Sequence, residues 1–291
     1  MPSAAAPEAR DQQVRRVLLV ILLLNLVVVA IKIGVGVGTR SLAVFGDALQ
    51  ASLDAVTNLL GLAIVAVASK GPDAEHPYGH AKFETLGALV IVVFLSVSLF
   101  ELLRGAAVRL LQGTPAPTAT PTEFGLLLAT LVINLLVTLY ESREGRRLGS
   151  ELLLADAEHT RMDVLITVAV IGSLGLSQLG LDWADPVLAV LVAAFVARAG
   201  YAIVRRAIPT LVDERVYEED QIRERAVEVA GVTSAYSIRS RAAAQTRFAE
   251  LTIAVNGASD VTSAHQIADA VEQHLKDTLE LHEVMVHVEP C

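Results

Sequence analysis

The sequence predicts a membrane-embedded all-α bundle of six spans joined to a small cytoplasmic α+β domain. Three observations carry this. Of 291 residues, 53% are hydrophobic and the mean hydropathy is +0.53, too apolar for an ordinary soluble domain. Six apolar stretches are each long enough to cross ~30 Å of hydrocarbon at ~1.5 Å per residue. After about residue 208 the pattern turns to short alternating and amphipathic segments, with fifteen Asp/Glu against seven Lys/Arg. The expected division is a cytoplasmic tail over 1–15, a six-span domain over 16–208 and a cytoplasmic domain over 209–291.

The spans are expected at Val17–Gly38, Leu42–Ser69, Leu86–Leu111, Phe124–Tyr140, Leu152–Leu176 and Pro186–Val204. The first run is too long for a signal peptide and lacks a cleavage site. Arg10, Arg15 and Arg16 precede it, Lys70 and Lys82 lie between spans two and three, and Arg143, Arg146 and Arg147 between four and five. Arg205 and Arg206 follow the sixth, whereas Gln112–Pro121 has no charge and Gly180–Asp185 only acids. Cations concentrate in cytoplasmic connections, so both termini are expected in the cytoplasm of a multi-pass protein of the cell membrane. Outside the acidic final segment charge is nearly balanced, which gives no reason to expect a nucleic-acid partner. The single cysteine, Cys291, allows no internal disulfide. The final segment reads as a helix over Glu218–Val229, strands over Val232–Ser240 and Phe248–Val255, an amphipathic helix over Val261–Leu279 and a strand over Glu283–Val288. That αββαβ order suits helices packed on one face of a small sheet.

One octapeptide pattern occurs twice within the spans: Asp47-Ala-Leu-Gln50-Ala-Ser-Leu-Asp54 and Asp156-Ala-Glu-His159-Thr-Arg-Met-Asp163. Polar groups at i, i+3 and i+7 share one helix face. A carboxylate in hydrocarbon costs at least ~2.5 kcal/mol, so it is rarely kept without a partner or a task. Spans two and five are antiparallel in this topology, with Asp54 and Asp163 at mid-depth. Facing stripes would gather Gln50, Asp54, His159 and Asp163 into a site of two carboxylates, an imidazole and an amide oxygen, suited to a divalent cation. Asp47 and Asp156 fall nearer opposite membrane margins, where their loss should matter less. Helix-packing hydrogen bonds are the simpler alternative. Between spans two and three, Gly71-Pro-Asp73-Ala-Glu-His76-Pro-Tyr-Gly-His80 contains turn-forming residues that draw Asp73, His76 and His80 together. Three such ligands with an open fourth position fit a zinc-like metal, and solvated loop residues fit the same spacing. In the final strand, His287 and Glu289 point to one side.

Six spans, the Gln50-x3-Asp54 and His159-x3-Asp163 pairs, the run His76-Pro-Tyr-Gly-His80-Ala-Lys-Phe-Glu84 and the acidic final domain together resemble the cation diffusion facilitator family. The resemblance extends from about Arg16 onward, and the iron/zinc branch is the most similar. It implies a homodimeric secondary transporter, not an enzyme, that exports divalent metal ions against protons by alternating access. The transported ion is then the only bound metal implied as cargo: Zn²⁺ first, with Fe²⁺, Mn²⁺, Co²⁺ or Cd²⁺ as further substrates, and no cofactor. The transport site would be Gln50, Asp54, His159 and Asp163, and the loop site Asp73, His76 and His80. The final domain would be metallochaperone-like, with His265, His287 and Glu289 as interface ligands. Tyr236 and Thr252 stand where two further ligands are usual in the family. Lys82 and Asp213 match a charge pair that secures the dimer. Gln50 departs from the His or Asp usual in relatives, which bears on metal choice. A non-transporting membrane metal receptor of the same fold is the alternative. No Walker loop is present, which argues against an ATP-driven pump.

Overall fold

The computed structural model describes residues 7–39, 42–112, 120–179, 181, 183–243 and 246–291. Most of the expected Gln112–Pro121 connection and the side chain of Asp47 lie outside the described residues. The chain divides into two compact units, 1–207 and 208–291.

The first unit holds six helices: α1 (Pro7–Thr39), α2 (Leu42–Ala68), α3 (Lys82–Gln112), α4 (Pro121–Leu148), α5 (Glu151–Gln178) and α6 (Ala184–Leu211). All six are long and apolar enough to cross a membrane. Several outrun the apolar stretches that announced them. α1 begins ten residues before Val17 because Glu, Ala, Arg and Gln there are good helix formers. α4 starts on a capping box, in which Thr120 accepts from the Glu123 N–H and the Glu123 carboxylate accepts from the Thr120 N–H. It ends at Gly149, left-handed at φ 57°, and Ser150 at once caps α5 by accepting from the Leu153 N–H.

The helix ends show that the spans alternate in direction. Arg10 of α1 reaches Glu84 of α3 and the Leu148 and Gly149 carbonyls after α4, and Ser150 donates to Glu84. Arg15 donates to Ser69, which places the α2–α3 loop at this same end, hereafter the loop side. At the opposite end, the far side, Asp185 of α6 accepts from Arg109 of α3 and from Ser173 of α5. The interior between these ends is apolar and thin: Leu18 and Ile21, Leu95, Leu152 and Leu153, and Val196 are each at most 1% exposed. Gly87 lets α3 lie close against α2, for a Cβ there would sit 2.7 Å from a methyl of Ile64. Large apolar side chains such as Phe100 and Leu110 cover the outside, the face a bilayer solvates.

The second unit contains α7 (Glu219–Val227), β1 (Val232–Ala243), β2 (Thr246–Val255), α8 (Val261–Leu279) and β3 (Glu283–Pro290). This is the expected αββαβ order, with β1 three residues longer than its alternation suggested. The sheet order is β1-β2-β3; β1 is antiparallel and β3 parallel to the central strand. A register shift near Ser237, at φ 52°, bends β1. Ile222 and Ala226 of α7 and Val271 and Leu275 of α8 pack on Leu251, Ile253 and Val284 of the sheet. Val271, Leu275 and Ile253 are fully buried. The Cys291 N–H donates to the Val255 carbonyl and extends the ladder by one rung.

Candidate metal centre

Asp54 lies twelve residues after the start of α2, and Asp163 twelve after the start of α5. At the helical rise both are roughly 18 Å in, near mid-membrane. One oxygen from each carboxylate and one nitrogen of His159 all lie within 4.8 Å of one another. His159 Nε2 is 3.6 Å from Asp54 Oδ1. His159 is 6% exposed, and its Nδ1 is buried with no hydrogen-bond partner among the described residues. The nitrogen that faces the Asp54 carboxylate is Nε2. Separations of this size suit an ion seated among the three atoms after a small inward adjustment.

Asp54 and Asp163 border a cavity of about 390 Å³. Gln50, one turn earlier on α2, lines it too, as do Lys32 of α1, Glu101 of α3 and Asn134 of α4. From the ligands it runs past Ser98 to Arg109 on α3 and past Val192 to Asp185 on α6, all in the far-side halves of those helices. The centre thus opens to the far side. On the loop side it is closed: Asn58 donates to Asp156 at 2.8 Å, and Leu18 and Leu152 are each 1% exposed. Asp156, five residues after the start of α5 and so near the loop-side end of the span, is 4% exposed and hydrogen-bonded across the bundle.

The loop brings Asp73, His76 and His80 together as the spacing suggested, again within 4.8 Å. Asp73 Oδ1 accepts from the His76 and Glu75 N–H groups at 2.7 and 3.0 Å, a local turn that fixes the carboxylate. The His76 N–H is the main reason Asp73 titrates below its ordinary 3.8. His80 Nδ1 is 3.2 Å from the Gly71 carbonyl, a contact that assigns the proton to Nδ1 and leaves Nε2, 3.4 Å from Asp73, as the free lone pair. His80 stacks on Phe83, and Gly79 makes the preceding turn at φ 79°.

In the second unit, Tyr236, Thr252 and His287 sit side by side across the three strands. His287 Nε2 is 3.6 Å from Glu289, whose carboxylate also accepts from the Tyr236 hydroxyl. His265, on α8, pairs instead with Asp269 at 3.7 Å. Among the described residues, one chain does not gather His265, His287 and Glu289 into a ligand group. His274 pairs with Glu228 at 2.9 Å, and His282 accepts from the Arg247 N–H. Lys82 is the first residue of α3; Asp213 follows α6 at φ 54°, its carboxylate 3.5 Å from Arg241.

Comparison with known proteins decides the family. Residues 18–212 match the family model described as the cation efflux transmembrane domain, and residues 216–291 the one described as the cation efflux protein cytoplasmic domain. The chain belongs to the cation diffusion facilitator family. It is a cation efflux transporter, in a family of transporters rather than enzymes. The cation-efflux pump FieF of Shewanella oneidensis is 30% identical over 253 residues, covering 86% of this chain and 83% of that protein. An uncharacterized transporter of Methanocaldococcus jannaschii is 28% identical over 251 residues, covering 86% and 88%. Metal tolerance protein C1 of Arabidopsis thaliana is 28% identical over 272 residues, with 86% of this chain and 57% of that protein covered. Among solved structures, a MamM CTD variant in a copper form is 27% identical, with a TM-score of 0.24, covering 25% of this chain and 92% of that one.

Several polar residues around the centre escaped the sequence reading. Lys32, Glu101 and Asn134 line the cavity, Asn58 and Glu141 flank it on the loop side, and Arg109 with Asp185 borders its mouth. A signal existed for Asn58, four residues after Asp54 and so on the same face. Lys32, Glu101, Arg109 and Asn134 are isolated polar residues in apolar runs, and Glu141 opens the polar run that ends α4.

Proposed function

We propose that this transporter expels divalent transition-metal ions from the cytoplasm in exchange for protons, through a site formed by Gln50, Asp54, His159 and Asp163. The convergence of Asp54, His159 and Asp163 at mid-depth, where the two carboxylates border a cavity with one open side, carries the reading. The carboxylates offset the ion's charge where hydrocarbon would make it costly. Because these ligands bind metal deprotonated, protons arriving from the far side displace the ion, and metal arriving from the cytoplasm displaces protons. Zn²⁺ is the leading substrate, with Fe²⁺, Mn²⁺, Co²⁺ or Cd²⁺ admitted because Gln50 offers a neutral hard oxygen. The resemblance of the chain to a cation-efflux pump and a metal tolerance protein supports that class.

The loop residues Asp73, His76 and His80 bind a second ion off the transport path. The protein works as a homodimer in the plasma membrane with both termini cytoplasmic. Lys82 and Asp213 contribute a charge pair to the dimer, and His265, His287 and Glu289 meet as ligands only when two copies assemble. The test is Zn²⁺ uptake into inverted vesicles with an acid lumen. Uptake should raise lumen pH, and Asp54→Ala should abolish both signals. Undiminished flux in Asp54→Ala refutes the site; flux without lumen alkalinisation refutes the exchange.

A further inference from the structure

A chain of buried polar side chains crosses the bundle on the loop side of the transport ligands. Asn25 of α1 donates to Asn58 of α2 at 2.6 Å, and Asn58 donates to Asp156 of α5 at 2.8 Å. Thr160, one turn after Asp156, places its hydroxyl 3.2 Å from the Asp156 carbonyl and between α5 and Glu141 of α4. That hydroxyl is 3.4 Å from Glu141 Oε2. Glu141 is 0% exposed and Asp156 4%. Asp156 is one turn before His159 on α5, and Asn58 one turn after Asp54 on α2. The chain is thus a second rung parallel to the Asp54–His159 rung, one turn closer to the loop side.

We infer that Glu141 and Asp156 form a second cation-binding site, which receives a divalent ion from the loop side before Asp54 and His159 take it. The inference rests on the transport-site reading above. Ionised carboxyl groups only accept hydrogen bonds, so two of them cannot satisfy each other. The donors they find, the Asn58 amide and the Thr160 hydroxyl, are neutral, and neither carboxylate forms an ion pair with Lys or Arg among the described residues. Leaving two such charges buried and uncompensated is costly, so the pair holds either a shared proton or a cation. Glu141 Oε1 is independent evidence: it is buried and meets no donor among the described residues. While the loop side is closed a proton bridges the pair; when it opens, an arriving metal ion takes the proton's place. Two hard carboxylates with no imidazole bind divalent ions with little selectivity. That suits a hand-over position better than a final one. Glu141 also brings α4, which contributes no ligand to the transport site, into contact with the ion's route.

The experiment compares KM for Zn²⁺ presented on either side of full-length protein in oriented vesicles. Glu141→Gln keeps the side chain's length and donates its amide to Asp156, so the closed rung survives; Glu141→Asp keeps the charge. Loss of a partner of a metal ligand already costs about 10–100-fold in affinity, so Glu141→Gln should raise the loop-side KM at least about tenfold. Vmax, far-side KM and the melting temperature should stay near wild type, and Glu141→Asp should recover part of the loop-side KM. Equal change on both sides, or a fall in Vmax alone, means that the rung only braces the fold and overturns the inference, as does an unchanged KM. Asp156→Asn, read the same way, decides the matter if Glu141→Gln does not fold. Asp54→Ala in parallel separates the two readings, since flux surviving there removes the transport site whatever Glu141 does.

Discussion

Replacing Arg10 by Met tests whether the loop-side contacts hold the transporter open to the far side. The Arg10 guanidinium donates to Glu84 at 3.0 and 3.3 Å, to the Leu148 carbonyl at 2.8 Å and to the Gly149 carbonyl at 3.2 Å. The side chains of Arg10 and Glu84 are 14% and 5% exposed, so this is a buried pair rather than a screened surface one. Arg10→Met leaves the Glu84 carboxylate with Ser150 as its remaining donor. Removing one partner of a buried pair costs ~3–5 kcal/mol. Opening the loop side must separate α1, α3 and the α4–α5 turn, so that cost falls mainly on the far-side-open state. At ~1.4 kcal/mol per factor of ten, the balance should move by roughly two to three powers of ten toward the loop-open state. Ser98 lines the cavity and supplies the assay. Ser98→Cys, with Cys291→Ser to remove the native thiol, should react with a membrane-impermeant reagent from the far side. Adding Arg10→Met should slow that reaction at least tenfold, and Glu84→Gln should slow it less. An unchanged rate in a folded Arg10→Met protein would refute the reasoning.

Gln50→His replaces a hard oxygen with an imidazole and should raise the Zn²⁺ to Mn²⁺ flux ratio in competitive transport. Gly79→Ala places a side chain at φ 79°, at a cost of roughly 1–2 kcal/mol in the loop. Calorimetric titration of Zn²⁺ into the Asp54→Ala protein should show the loop site weakened about tenfold. In the second unit, the hydrogen bond from His274 holds Glu228 below its ordinary 4.5. A lowered carboxylate contributes stability that is present above pH 4.5 and lost as pH falls through its folded value. Thermal unfolding of that unit in the full chain should therefore weaken below about pH 4.5, and His274→Ala should flatten the dependence.

The sequence made the spans and the central ligands legible for the same reason: each rests on a local period. Apolar length identifies a span without knowledge of its neighbours. Asp54, His159 and Asp163 stand at helical spacing, and the repeated octapeptide named α2 and α5 as partners. The second unit was legible because α8 is amphipathic and β2 alternates. The rest depended on helix rotation. α1 and α4 carry no distinct apolar stripe, so nothing in their own pattern tells which side faces inward. Lys32 and Glu141 could therefore not be assigned to the interior. Sheet register was equally hidden: the row Tyr236–Thr252–His287 exists because β1 and β3 pair in one particular alignment with β2.

The two ends of α3 carry a consequence for the surrounding lipid. Glu84 is tied to Arg10 and Ser150, and Arg109 to Asp185, which in turn holds Ser173. These anchor points are 25 residues apart on one helix, roughly 37 Å at the helical rise. A hydrocarbon layer of ~30 Å is shorter, so α3 meets it by tilting or by drawing the layer thicker around itself. Because charged ties fix both ends, the helix cannot slide to relieve that mismatch, and the strain passes to the neighbours it is tied to. Bilayer thickness thus acts on the balance between the two ends of the transporter, and reconstitution in short-chain and long-chain phospholipids should give different rates from one and the same protein.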